Sequence, residues 1–413
     1  MFTEPTVFIL GAGASWHYGY PTGEMLVEQA IDTARRAEAF FRWSANIPGR
    51  GSVNQYPTRY ISRKSESYRG AIDAQGTLAL RAQWSAAADE CKALANRLET
   101  VAPPVIDAFL NHNPSLREIG KLIIAWIILQ CETDHEATGF NANRENPLQK
   151  RKMEFNYQDN FYRSFVHALL SVIYCSENIL NNRVNFITFN YDVSLEIFIR
   201  EALEHTDIVN SSDIDQFFSA ERFMHVYGAI RDPTATAGSR SLPRPFKLFD
   251  KYWGNASFEI LDDAELDGCR ALLDEIYEAS QRIRTIGSID KTEDESTLKY
   301  AKTALGTAER IHILGYGFDE TNSDILCLSE HLREGKSHKL SGPKKIFVNF
   351  TNFGDHNTIN KKAGDIFHQN RKMFIGNKPQ ETPSDVVTNT GVKRFYEKSI
   401  KDVCRALRKD FDW

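Results

Sequence analysis

A chain of 413 residues exceeds what one hydrophobic core organises, so two domains or one domain with a large insertion are expected. Its 42% hydrophobic and 25% charged residues exclude a disordered chain, and a formal charge of −5 excludes a global attraction to polyanions. Six cysteines without any Cys-x-x-Cys spacing exclude a zinc ribbon or a disulfide framework and fit reduced thiols.

No basic segment followed by a leader-length apolar core opens the chain, and the most apolar run, Leu122 to Leu129, falls far short of the ~20 residues that span a bilayer. A cytoplasmic protein without a membrane segment is expected. Basic runs at Arg151-Lys152 and from Lys336 to Lys345 read as solvated faces, so direct nucleic-acid contact is not expected.

In chain order, Thr6 to Leu10 is an apolar, partly β-branched run ending at Gly11, the pattern of a strand buried on both faces. Gly11-Ala12-Gly13-Ala14-Ser15 follows, then a helical pattern from about Glu24 to Ala39. Strand, glycine turn and helix form the unit that receives a phosphate at a helix N-terminus. Between about Gly23 and Arg183 only helical periodicity recurs. The candidates are Arg81 to Leu98, a run to Cys131 opened by the capping box Ser115-x-x-Glu118, and Asp159 to Cys175. Ile47 to Gly70 reads as a long loop.

Strands return at Val184 to Thr188, Phe223 to Tyr227, Arg310 to Leu314 and Lys345 to Phe350. Alternation with helices implies an α/β fold with a parallel, doubly wound sheet. Thr234 to Pro245 and Gln380 to Gly391 read as loops, and Ser257 to Arg284 as one or two helices. The expected division is residues 1–23 plus 183–413 as the nucleotide domain, with 24–182 as an all-helical insertion serving assembly or regulation.

Four motifs carry candidate chemistry. Gly11-x-Gly13 lets backbone approach a pyrophosphate, although Trp16 occupies the third glycine position of the strict fingerprint, and a structural tight turn reads equally well. Asn190 and Asp192 follow a strand at the edge where open α/β sheets bind ligands, and they also suit the capping of the next helix. His225, followed by Gly228, supplies either a base or a hydrogen-bonded core histidine. Gly315-Tyr316-Gly317-Phe318-Asp319 is a second glycine turn at a strand end, with Asn322 just beyond, and Asn349 could serve a ribose hydroxyl or a turn. One imidazole, one carboxamide and one carboxylate suit attack on the glycosidic bond of a nicotinamide nucleotide.

The order Gly-Ala-Gly-Ala-Ser, Thr-x-Asn-Tyr-Asp, His-x-x-Gly and Gly-Tyr-Gly-Phe-x-Glu resembles the bacterial sirtuin-like family used in antiphage defence. The likeness covers residues 6–23 and roughly 183–352. It implies a Rossmann-like NAD-binding domain with Asn190 and His225 as the catalytic pair. It further implies an NAD pocket lined by Gly11, Ala12, Gly13, Ser15, Asp192 and Gly228, with Gly315, Tyr316, Phe318 and Asn349 completing it toward the adenosine side. The protein deacetylases of the wider family carry a four-cysteine zinc module. No paired cysteines stand here to build one, so a zinc-independent NADase is expected rather than a deacetylase.

The expected reaction releases nicotinamide and leaves ADP-ribose through an oxocarbenium-like transition state. Asn190 would position the ribose, His225 take a proton, and Asp192 hold the nicotinamide amide. NAD is then substrate, and no cofactor or metal is expected. The resemblance implies an abortive-infection effector gated by self-assembly or by a partner such as a HerA-type hexameric ATPase. The competing expectations are a module that senses NAD or an ADP-ribose derivative without turnover, and a regulatory subunit with a relic fold.

Overall fold

In the computed structural model, which describes residues 2–46, 74–136, 161–173, 178–232, 263–285, 294–332, 347–351, 357–367, 386–387 and 393–397, strand β1 (Thr6–Leu10) is buried along its whole length. It pairs in parallel with β2 (Val184–Thr188) on one side and β4 (Arg310–Leu314) on the other. A continuous apolar run tolerates this because neither face meets water. Beyond β2 lies β3 (Phe223–His225), and beyond β4 lie β5 (Phe347–Thr351), β7 (Lys393–Glu397) and the antiparallel β6 (Val386–Val387). The order β3-β2-β1-β4-β5-β7-β6 is that of a doubly wound, Rossmann-like sheet whose winding reverses between β1 and β4.

Alternation along β1 sends Val7 and Ile9 into one core and Phe8 and Leu10 into the other. The first core is built with α1 (Gly23–Asn46), α2 (Ala74–Val101), α3 (Ile106–His112) and α4 (Arg117–Glu136). The helices α8 (Asp263–Arg282), α9 (Asp294–Thr307) and α12 (Asn357–Phe367) complete it. The second core takes α5 (Phe161–Ile173), α6 (Ser194–Glu204) and α7 (Ser211–Phe217). Every described element between α1 and the 3-10 turn before β2 is helical, and these helices cover both faces of the sheet. The short helices α10 (Glu320–Ile325) and α11 (Leu328–Leu332) follow β4. No helix among the described residues is long and apolar enough to cross a membrane.

Three expected strands match residue for residue. The strand expected to reach Tyr227 stops at His225, because the Gly228 amide bonds back to the His225 carbonyl and turns the chain. The strand expected from Lys345 to Phe350 is described over Phe347–Thr351, one residue past its expected end, and Lys345 and Ile346 lie outside the described residues. Within the loop expected from Gln380 to Gly391, Val386–Val387 forms β6 by pairing with β7. Ser115 is not an adjacent cap: a 3-10 turn, Pro114–Leu116, leads into α4. The loops expected at Ile47 to Gly70 and Thr234 to Pro245 lie outside the described residues.

At the winding reversal the two glycine turns touch backbone to backbone. The Gly11 amide donates to the Leu314 carbonyl at 2.9 Å and the Gly13 amide to the Gly315 carbonyl at 3.0 Å. Gly315 has φ of 60°, and a Cβ there would stand 2.1 Å from the Ala14 nitrogen. Left-handed backbone and a clash with main chain act together, so Gly315→Ala is expected to destabilise the protein by about 3 kcal/mol. Urea unfolding checks this, and a wild-type midpoint in the variant would contradict the contact.

Candidate functional site

Leu10 pairs with both Thr188 and Leu314, and Thr188 pairs with His225, so four strands end on one level. The loops leaving them meet above that row. Ser15 follows the 3-10 turn Ala12–Ala14, and its hydroxyl lies 3.4 Å from the Ala12 carbonyl that accepts from it. Asn190 is held from two directions. Its amide donates to Thr188 Oγ1 at 3.0 Å, and its Nδ2 donates to Ser15 Oγ at 3.2 Å. Its Oδ1 is buried and accepts from no donor among the described residues.

His225 is engaged at both nitrogens: Nδ1 stands 3.0 Å from the Asn190 carbonyl, and Nε2 stands 2.6 Å from Glu196 Oε1. A carbonyl only accepts, so Nδ1 carries a proton. Burial disfavours the charged ring, but the Glu196 carboxylate, the Asn190 carbonyl and Asp192 together outweigh it and raise the His225 pKa above its ordinary value.

Asp192 accepts from the Ser194 amide at 3.2 Å and from the Ser194 hydroxyl, an Asx turn leading into α6, whose N-cap position is taken by Val193. The Tyr162 hydroxyl lies 2.7 Å from Ser194 Oγ, and the Tyr162 ring stacks on Tyr18 with centroids 3.8 Å apart. Burial raises the Asp192 pKa. Hydrogen bonds from Ser194 and Ser15 pull it down in part, and the Glu196 charge pushes it further up.

The structure therefore joins Ser15, Asn190, Asp192 and His225 in one buried cluster, with the turn of Gly11, Ala12, Gly13 and Gly315 beside it. Gly228 has φ of 72° and packs its backbone on the end of α8, where a Cβ would stand 2.0 Å from the Arg282 carbonyl oxygen. Tyr316 stacks on Phe189, and Phe318 meets Phe350 edge-on; both are buried packing rings. Asn349 sits in the middle of β5, opposite His312, rather than at the strand's end, and its side chain lies outside the described residues. Among the described residues no group of three His, Cys, Asp or Glu is arranged to hold a metal ion.

Glu196, Ser194 and Tyr162 were not singled out from the sequence. The spacing from Asp192 to Glu196 is one helical turn, which could have flagged Glu196. Tyr162 is joined only through the fold. The same holds for Asp107 on α3, whose Oδ1 accepts from the Tyr191 hydroxyl, while Asn322, beyond the second glycine turn, accepts from Tyr227.

These features define a buried carboxamide, imidazole and carboxylate site at the carboxyl edge of a doubly wound α/β sheet. No family model, curated protein or solved structure matches the chain.

Burial raises the Asp107 pKa to about 6 from an ordinary 3.8, against the opposing bond from Tyr191. A carboxyl raised in this way binds more protons folded than unfolded between those values. Stability therefore falls as pH rises from about 4 to 6, and a cost of about 3 kcal/mol is fully present above that window. Asp107→Asn is expected to remove this component. Urea midpoints at pH 4.5 and 7 check it: relative to wild type, the variant gains stability at the higher pH, and an unchanged difference would refute the assignment.

Proposed function

We propose that the protein is an NAD glycohydrolase, which cleaves the nicotinamide–ribose bond of NAD to give nicotinamide and ADP-ribose. The observation that carries this reading is Asn190 Oδ1, a buried acceptor with no donor among the described residues, at the carboxyl edge of the sheet. Leaving such an atom unsatisfied costs about 1–3 kcal/mol, and a ribose hydroxyl or a water removes that cost. Asp192, in the same buried cluster, supplies negative charge for an oxocarbenium-like transition state, and nicotinamide leaves neutral without an acid.

The sirtuin-like resemblance extends the reading to a zinc-independent effector of abortive infection. It acts in the cytoplasm and is switched on by homo-oligomerisation or by a partner of the HerA-type ATPase kind. A second reading, NAD sensing without turnover, draws on His225, whose nitrogens both face protein acceptors.

Nicotinamide release from NAD by the full chain, alone and with the protein encoded beside it, tests the proposal. Wild type is expected to turn over, and Asn190→Ala to lower kcat by about 10²-fold or more through lost positioning, with folding retained. NAD binding with no nicotinamide release under either condition would replace the enzyme by the sensor.

A further inference from the structure

His225 was expected to act as a base, yet its surroundings suit a different task. The ring spans two elements. Its Nδ1 faces the carbonyl of Asn190, on the loop after β2, and its Nε2 faces Glu196, on the first turn of α6. Both side chains of the pair are 5% exposed. The 2.6 Å contact admits two protonation states: an imidazolium donating to a carboxylate, or a neutral ring accepting from a carboxylic acid. Neither leaves a ring lone pair turned toward a ligand.

We propose that Glu196 is a positioning residue whose carboxylate accepts the hydrogen bond from a protonated Nε2 of His225, so that the imidazolium clasps the Asn190 backbone to α6 and collects no proton from substrate. What the clasp serves rests on the NAD reading; the clasp itself does not. A buried imidazolium is tolerated only beside compensating charge. The groups that face it are Glu196 and Asp192 at the start of α6 and the Asn190 carbonyl, all of which favour the charged ring against burial. Tyr162 on α5 reaches the same cluster through Ser194. The clasp acts on the residue whose Oδ1 awaits a ligand. Nδ1–H fixes the Asn190 carbonyl, while Thr188 and Ser15 fix its amide and side chain.

Nitrogen-15 NMR of the histidine-labelled full chain reads the ring directly. In wild type at pH 7, His225 is expected to carry protons on both nitrogens and to lose one only above the ordinary histidine range. Glu196→Gln keeps a hydrogen-bonding side chain but removes the charge. It is expected to lower that midpoint by about 1–3 pH units and leave a neutral ring protonated at Nδ1. A wild-type ring unprotonated at Nε2 at pH 7, or an unchanged midpoint in the folded variant, would overturn the proposal.

Kinetics adds a second arm. Glu196→Ala is expected to lower kcat by about 10²-fold, with Glu196→Gln recovering part of the loss. A chain that turns over NAD and is indifferent to Glu196→Ala would overturn the proposal. A chain that never turns over NAD overturns the proposed function alone, because the spectra decide the clasp without catalysis.

Discussion

The site depends on the double pairing of β1. Five buried residues hydrogen-bond in parallel to β2 on one side and β4 on the other, and register on both sides is locked by the alternation of two cores. A slip of one residue would drive Phe8 and Leu10 into the core built for Val7 and Ile9, so the register has no near neighbour in energy. With register set, Leu10, Thr188, His225 and Leu314 form one row, and each loop leaves the sheet at the same height. Ser15, Asn190 and His225, distant in sequence, meet because their strands end together.

The same constraint divides what is legible in the chain from what is not. Buried strands announce themselves as short apolar runs, closed by glycine after β1 and β4, and β1, β2 and β4 match their expected bounds. The end of β3 falls short of Tyr227 because a local turn, closed by the bond from the Gly228 amide to the His225 carbonyl, stops the pairing. The two-residue β6 carries no periodicity long enough to detect. In the site, Asn190, Asp192 and His225 were legible as strand-end residues. The partner of His225 was not, because no local pattern joins residues 196 and 225. Neither residue of the polar pair is the N-cap of α6, which is Val193: Asp192 closes an Asx turn onto Ser194, and Asn190 turns to Ser15.

The helical segment between β1 and β2 is tied to the site from both faces of the sheet. From one face, Asp107 on α3 accepts from Tyr191, the residue between Asn190 and Asp192. From the other, Tyr162 on α5 bonds Ser194, whose hydroxyl in turn donates to Asp192. Both links are buried, where a broken hydrogen bond costs the full desolvation of the group left behind. A displacement of α3 or α5 is therefore felt at the residues flanking Tyr191.

Two buried histidines in the same sheet show how environment chooses between structure and chemistry. His312 lies in register with Phe8 and stacks on its ring at 4.9 Å; burial with a neighbouring arginine pushes its pKa down to about 3 and keeps it neutral. His225, equally buried, is raised because Glu196 faces it. The difference is made by carboxylates, and their distribution is uneven. Asp107, Asp192 and Glu196 are the buried acids among the described residues, and all three belong to this one edge or are bonded to it. Burying an acid is unfavourable wherever it occurs, and an apolar core of the same shape would be more stable. A fold that confines that cost to the level row above β2 and β3 has concentrated polar groups where an unsatisfied Asn190 oxygen awaits a donor, which is what a binding site requires and a packing core does not.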